Sequence, residues 1–199
     1  MITDYASLQA SIGQWLARSD MAPAAPSLIQ LAEVRIGRDL LRMEHRRLMA
    51  TATGTLTAGA APLPADFGTI RSVEVPWGAG NVVLPPLDSV RQEARASAPA
   101  GYWIDGNTLR IVGGGDGPYA LNYWQRLPSI ATATNWLIGQ APDLYLYATL
   151  LEAAPYLKAD SRIPVWREGY AVAVAAVEDE NHRARSAAGK RARPAFHAP

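Results

Sequence analysis

The spacing of apolar residues changes twice along this chain, and the two changes limit the folds it can adopt. Before about residue 50 and after about residue 128, apolar residues recur every three or four positions, which is typical of one face of an α-helix. Between them the apolar residues alternate with polar ones and glycine or proline turns interrupt the pattern, as in antiparallel strands. The sequence therefore predicts an α+β protein, a four-helix-type bundle with an inserted small antiparallel β region and an extended basic C-terminal tail.

The helices are expected to begin and end at recognisable signals. Thr3 or Asp4 is a suitable N-cap, Pro142 suits a first turn, Pro155 should kink or end its helix, and Asp160 should cap the last one. Leucines and a tyrosine on two faces predict that the helix after Pro142 is buried on both sides. The predicted helices cover about residues 3–18, 27–48, 142–158 and 161–185.

The predicted β region covers about residues 50–127. Asp105-Gly106-Asn107 lies between two strand-like runs and predicts a hairpin, because a tight turn needs the positive φ that glycine allows. The glycines at 113–115 predict another turn, since the Lys-Ser or Lys-Thr of a phosphate-binding loop does not follow them. Asp88 or Ser89 could cap a short helix through Arg95. Residues 1–185 are expected to form one domain, and residues 186–199 an extended tail.

Charge is distributed unevenly between the body of the chain and its C-terminus. The net charge of the whole chain is +1, but residues 181–199 contain five basic residues and no acidic ones. Residues 1–180 contain 14 basic against 18 acidic residues, which makes the body mildly acidic. Such asymmetry indicates either a solvated terminus or a segment that docks on a partner. The basic residues of the segment are Arg183, Arg185, Lys190, Arg191 and Arg193, and Phe196 is its one aromatic residue.

Composition argues against several classes of function. The chain has no cysteine, so disulfides and thiolate metal sites are excluded, and its three histidines are far apart in sequence. His45 lies between Glu44 and Arg46, which favours a solvated side chain. No nucleophile motif or carboxylate pair indicates catalysis, so we expect no enzyme, no cofactor and no metal. No apolar run is long enough to span a membrane, and the N-terminus does not resemble a signal peptide, so no membrane partner is expected.

Arginines recur at helical spacing in the second predicted helix. Arg35, Arg38, Arg42 and Arg46 form a cationic stripe, which could be an ordinary polar face or a surface for an acidic partner or nucleic acid. An alternative function is a nucleic-acid-associated protein that binds through the basic tail. That tail contains a single aromatic residue, Phe196, so it has no array of aromatic side chains on which bases could stack.

A second alternative is a module whose β region binds glycan through exposed tryptophans. Trp77, Trp103 and Trp124 are the residues concerned. Trp103 and Trp124 lie within strand-like apolar runs, so we interpret both as core residues.

Several segments together resemble the head–tail adaptor, or connector, proteins of tailed bacteriophages. They include Trp15-Leu16, Leu63-Pro64-Ala65-Asp66-Phe67 and Asn135-Trp136-Leu137, and their order and spacing are more specific than any one of them. The matching segments lie within residues 8–20, 31–40, 63–67, 71–73, 135–137, 141–147 and 150–158, with Asp160 following.

The resemblance implies a structural virion protein rather than an enzyme. Such adaptors form a ring, usually of twelve copies, beneath the portal protein in the neck between capsid and tail. They extend the DNA channel towards a downstream tail or neck protein, and genome DNA passes through the lumen without sequence-specific binding. Before assembly the protein would lie in the host cytoplasm.

The resemblance also gives the charged residues possible roles. It implies that the tail residues Arg183, Arg185, Lys190, Arg191, Arg193 and Phe196 dock on the portal. A channel wall that bound phosphate strongly would hinder ejection of the genome. We therefore favour a subunit interface for Arg35, Arg38 and Arg42, while a lumen-facing or a solvent-exposed stripe stays open.

Overall fold

The computed structural model describes residues 1–87, 98–113, 115–157 and 161–191, and it divides into two compact units. The first, here the helical unit, combines Met1–Arg46 with Leu127–Pro199. The second, here the β unit, is Arg47–Arg126. The two changes of apolar period thus lie close to the two places where the chain passes from one unit to the other.

The helical unit is built around one central helix. Within the part of the chain that the structure describes, its helices are α1 (Tyr5–Leu16), α2 (Ala25–Arg42), α3 (Trp136–Gln140), α4 (Pro142–Ala153) and α5 (Ile163–Arg191). A 3₁₀ turn at Ser19–Ala24 connects α1 to α2. Helix α4 packs against α1, α2 and α5. Its buried residues, among them Tyr145, Leu146 and Leu150, lie on more than one side, which confirms the prediction of a doubly buried helix.

Local signals fix where these helices begin and end. The Asp4 carboxylate accepts from Ser7 N at 2.8 Å while the Ser7 hydroxyl accepts from Asp4 N at 3.0 Å, a capping box that confirms the predicted cap. Pro142 occupies the first turn of α4, as expected. Helix α4 ends at Ala153 and continues only as a 3₁₀ turn, Ala154–Tyr156, because Pro155 cannot donate a backbone hydrogen bond.

The β unit consists of two antiparallel sheets. Its strands are β1 (Met49–Leu56), β2 (Ala60–Pro62), β3 (Phe67–Trp77), β4 (Gly80–Leu84), β5 (Gly101–Asp105), β6 (Thr108–Val112) and β7 (Gly117–Gln125). The four-stranded sheet has the order β1-β7-β3-β4, and the three-stranded sheet has the order β2-β6-β5. The predicted hairpin is confirmed by β5 and β6, whose pairing begins at Asp105 and Thr108, with Gly106 at φ +58° in the turn.

The expected architecture, a four-helix-type bundle with a minor β insertion, is wrong. The fold is mixed, with five α-helices among the described residues and two sheets that enclose a core of their own. Val73, Leu109 and Leu121 in that core are fully buried, so the β unit stabilises itself by apolar burial.

The C-terminal helix is also longer than the sequence predicted. Helix α5 runs to Arg191, beyond the expected end at about residue 185. The residues after 185 are mainly alanine, lysine and arginine, which favour helix, and one glycine costs about 1 kcal/mol without stopping it. The predicted short helix from Asp88 or Ser89 and the Asp160 cap fall outside the described residues.

Candidate interaction surface

The arginine stripe of α2 is exposed, but its members differ in whether they have partners within the helical unit. The Arg35 guanidinium contacts Glu152 of α4 at 2.6 Å and lies 6.0 Å from the ring centroid of Tyr170 in α5. Arg42 pairs with Asp39 one turn away at 3.2 Å. Two of the three candidate arginines therefore have partners within the chain, and Arg35 helps to join three helices.

Tyr170 completes this charged cluster by donating its hydroxyl to Asp39 at 2.7 Å. Burial is the main reason why the pKa of Tyr170 is raised well above its ordinary value. The hydrogen bond to Asp39 and the negative charge of that carboxylate raise the pKa further, while Arg35 and Arg42 act in the opposite direction. The neutral phenol is thus the form that the folded protein favours.

We expect alkaline pH to destabilise the helical unit partly through Tyr170. A raised folded-state pKa means that the stabilisation is complete below the ordinary value of 10.0 and is lost as the pH rises above it. Urea unfolding followed by circular dichroism at 222 nm should therefore show a falling midpoint above that pH, and Tyr170→Phe should make the fall shallower. Tyr156→Phe is the control, because Tyr156 is 57% exposed. Equal slopes for wild type and Tyr170→Phe would contradict the assignment.

A second part of α2 faces away from the interior of the helical unit. Leu31 and Val34 are 52% and 45% exposed, although both are large aliphatic residues in the middle of a helix. Arg38 is exposed beside them, and no ion pair is found for it within the described part of the chain. These three residues and the partly buried Leu41 recur at intervals of three and four, and we call them the α2 seam.

Helix α5 carries a comparable exposed row. Its buried stripe includes Trp166, Ala173 and Val177, which recur at helical spacing in the sequence, and it packs against α4. Val165 and Val172 on another face are 62% and 64% exposed. They belong to an exposed row with the same intervals, which we call the α5 seam: Val165, Glu168, Val172, Ala175 and Asp179.

Two buried polar residues of this unit were not identified as important from the sequence. His45 is 2% exposed and its ring stacks on Trp136 with centroids 4.8 Å apart, so the expectation of a solvated histidine is wrong. Helix α2 ends just before it, and Glu44 at φ +50° turns the chain inward. Asn181 of α5 accepts from Arg46 N at 3.0 Å and donates to Met43 O at 3.2 Å. Asn181 follows Val177 by four residues and so continues the buried stripe of α5, which is the sequence signal that could have identified it.

Comparison with known proteins identifies the group to which this fold belongs. A family model described as SU10 adaptor protein matches residues 3–194. The chain belongs to that family. The match confirms the resemblance to phage head–tail adaptors, so the protein is a bacteriophage adaptor and a virion-associated structural protein. A search of curated proteins found no match.

The basic C-terminal residues of this adaptor are only partly described. Arg183 and Arg185 lie in α5, where Arg183 donates to the carbonyl of Asp179 and Arg185 pairs with Glu44 at 2.9 Å. Both are therefore attached to the helical unit. The backbone at Lys190 and Arg191 is helical, and Arg193 and Phe196 lie outside the described residues.

The tryptophans of the adaptor's β unit differ in burial. Trp124 in β7 is 6% exposed, which confirms it as a core residue, whereas Trp103 in β5 is only partly buried and Trp77 is 50% exposed. An open groove of about 450 Å³ lies over the four-stranded sheet, lined by Thr53, Glu74, Tyr119 and neighbouring residues. Trp77 does not line it and Tyr119 is 8% exposed, so the groove presents little aromatic surface for stacking a sugar.

The described part of the adaptor contains neither a candidate metal site nor a candidate membrane span. Across residues 1–87, 98–113, 115–157 and 161–191, no group of three or more histidine, aspartate or glutamate side chains is placed to hold a metal ion. In the same part of the chain, no helix combines the length and the apolar character that crossing a membrane requires.

Proposed function

We propose that this adaptor forms a ring of twelve copies beneath the portal, extends the DNA channel and joins the capsid to the tail. The observation that carries the proposal is the family match over residues 3–194, which includes both units. The partners in this proposal are the portal, other copies of the chain and a downstream tail or neck protein. The adaptor would then lie in the neck of the virion.

The uneven distribution of charge supports separate roles for the body and for the C-terminal segment of each copy. The body is acidic while the C-terminal segment carries five basic residues, so the segment suits an acidic surface of the portal. A single docking segment of this length provides modest affinity, but repetition around a ring raises the overall affinity. We assign portal contact to Lys190, Arg191, Arg193 and Phe196, because Arg183 and Arg185 already bind within the chain.

The same asymmetry suits a channel through which DNA must slide. Each phosphate that a protein neutralises adds a salt-dependent attraction, so a basic channel wall would retain the genome. An acidic body provides little attraction of this kind. In this proposal genome DNA therefore passes through the lumen without sequence-specific binding.

Portal binding by variant adaptors tests this function. Deleting residues 183–199 would also remove the Arg185–Glu44 pair and the bond from Arg46 to the Ala184 carbonyl, so a smaller change is preferable. We would use Lys190→Gln/Arg191→Gln/Arg193→Gln and a truncation after Arg191. The wild-type adaptor should form rings on the portal encoded by the same phage, seen by electron microscopy, and both variants should lose them.

The control and the alternative outcomes separate the parts of the proposal. Arg110→Gln/Arg167→Gln removes basic charge elsewhere and should leave the rings unchanged. Rings that survive both tail variants would contradict portal docking by the tail, whereas no association of the wild type would contradict the adaptor role at this position. Salt-sensitive DNA binding by the monomer, lost in the tail variants, would instead favour a nucleic-acid-associated protein.

A further inference from the structure

The two seams leave aliphatic surface exposed on the helical unit. Leu31, Val34, Val165 and Val172 are each at least 45% exposed, and the last two lie on the same long helix. Single exposed aliphatic residues are common, but rows of them at regular spacing are typical of surfaces that pack against another protein. The seams are therefore candidates for protein contact.

The spacing of both seams is that of a coiled-coil interface. Residues 31, 34, 38 and 41 follow intervals of three, four and three, and residues 165, 168, 172, 175 and 179 continue the same alternation. Side chains with these intervals lie along one stripe of a helix and interlock with an equivalent stripe at a crossing angle of about 20°. Each seam can therefore accept a helix with matching spacing.

Charge decides which helices match. Both seams begin with aliphatic residues, but the α2 seam continues to Arg38 while the α5 seam continues to Asp179. Leu31 and Arg38 are seven residues apart, as are Val172 and Asp179, which corresponds to about 10.5 Å along a helix. A parallel pairing of α2 with α5 places aliphatic beside aliphatic and Arg38 beside Asp179. Parallel pairing of α5 with another α5 would instead oppose two aspartates.

We infer that the α2 seam of one copy packs against the α5 seam of the next copy. This inference rests on the proposed ring and specifies its subunit interface. The contact is heterologous, because each copy presents one seam to each neighbour, and repeating such a contact closes a ring when the rotation allows it. Arg42, whose side chain is 75% exposed, flanks the contact. Arg35 ties α2 to α4 of its own copy through Glu152.

Cysteine cross-linking tests this pairing directly. The chain contains no cysteine, so Leu31→Cys/Val172→Cys introduces the only thiols. Rings assembled on the portal and then oxidised should give a ladder of covalent oligomers on a denaturing gel. Leu31→Cys/Arg167→Cys is the matched control, because Arg167 is exposed on the same helix but outside the seam, and it should give monomers. If rings of Leu31→Cys/Val172→Cys form but give no ladder, the inferred pairing is wrong while the proposed ring stands.

Charge reversal with rescue provides a second test. Arg38→Glu and Asp179→Arg should each lower the yield of rings at least about tenfold, because each places like charges together at every interface. Combining the two should restore the yield, whereas Arg167→Glu should not change it. Circular dichroism of each variant checks that the monomer folds. Failure of the double variant to recover, with a folded monomer, would overturn the pairing, and absence of rings from the wild type would overturn the proposed function with it.

Discussion

Replacing Trp166 with alanine is expected to lower the midpoint of thermal unfolding of the helical unit by at least about 10 °C. The indole lies in α5 and is 2% exposed, which makes it one of the largest fully buried side chains in the structure. Truncating a buried tryptophan costs about 3–5 kcal/mol, because transfer energy is lost and the cavity collapses only in part. One kcal/mol corresponds to about 3–5 °C for a domain of this size.

Circular dichroism at 222 nm provides the measurement. The described helices belong to the helical unit and the described strands to the β unit, so this signal reports mainly on the unit that contains Trp166. Trp15→Ala is the matched control, since Trp15 lies in the same unit but is 44% exposed, and it should shift the midpoint much less. Similar shifts for the two variants would show that burial at Trp166 does not carry the stability assigned to it.

Local features of this fold could be predicted from the sequence because they depend on neighbouring residues. The Asp4 cap needs only Ser7 three residues later, and the hairpin turn at Gly106 needs only a backbone that tolerates positive φ. The buried stripe of α5 was likewise visible as a spacing. Each of these features depends on residues that are only a few positions apart, so a local sequence pattern is enough to predict it.

The two-sheet architecture of the β unit could not be predicted in the same way. Strand β2 has three residues and pairs with β6, far along the chain, through Ala60 and Arg110. Register between distant strands is set by the tertiary fold and leaves little trace in a short segment. An alternating region was visible, but not that it forms two sheets with a separate core.

The candidate site was predictable in type but not in detail. The sequence showed a cationic stripe on α2, yet it could not show that Glu152, 117 residues after Arg35, would bind that residue from α4. The exposed α2 seam shares Arg38 with the stripe, and its aliphatic members resemble core residues when only their spacing is known. Their exposure follows from which face α4 covers, which is a tertiary property.

A second large effect is expected at Asn135, whose side chain makes four hydrogen bonds while it is 9% exposed. Its carbonyl oxygen accepts from the backbone N–H groups of Leu137 and Ile138, at 3.1 and 3.2 Å, and so caps α3. Its amide donates at 2.7 Å to the Pro128 carbonyl and to the Tyr145 hydroxyl. Asn135→Ala should lower the free energy of unfolding by about 3 kcal/mol, because buried groups lose partners that water cannot replace.

Two variants divide this effect into its parts when urea unfolding is followed at 222 nm. Asn135→Ser keeps an acceptor for the cap but is too short to reach Pro128 and Tyr145, so it should fall between wild type and alanine. Tyr145→Phe removes one of the four bonds and should cost about 1 kcal/mol. A loss below about 1 kcal/mol for Asn135→Ala would contradict the role assigned to it. The expected loss would instead explain why residues 135–137 contribute to the resemblance with adaptors: they position α3 against the central helix.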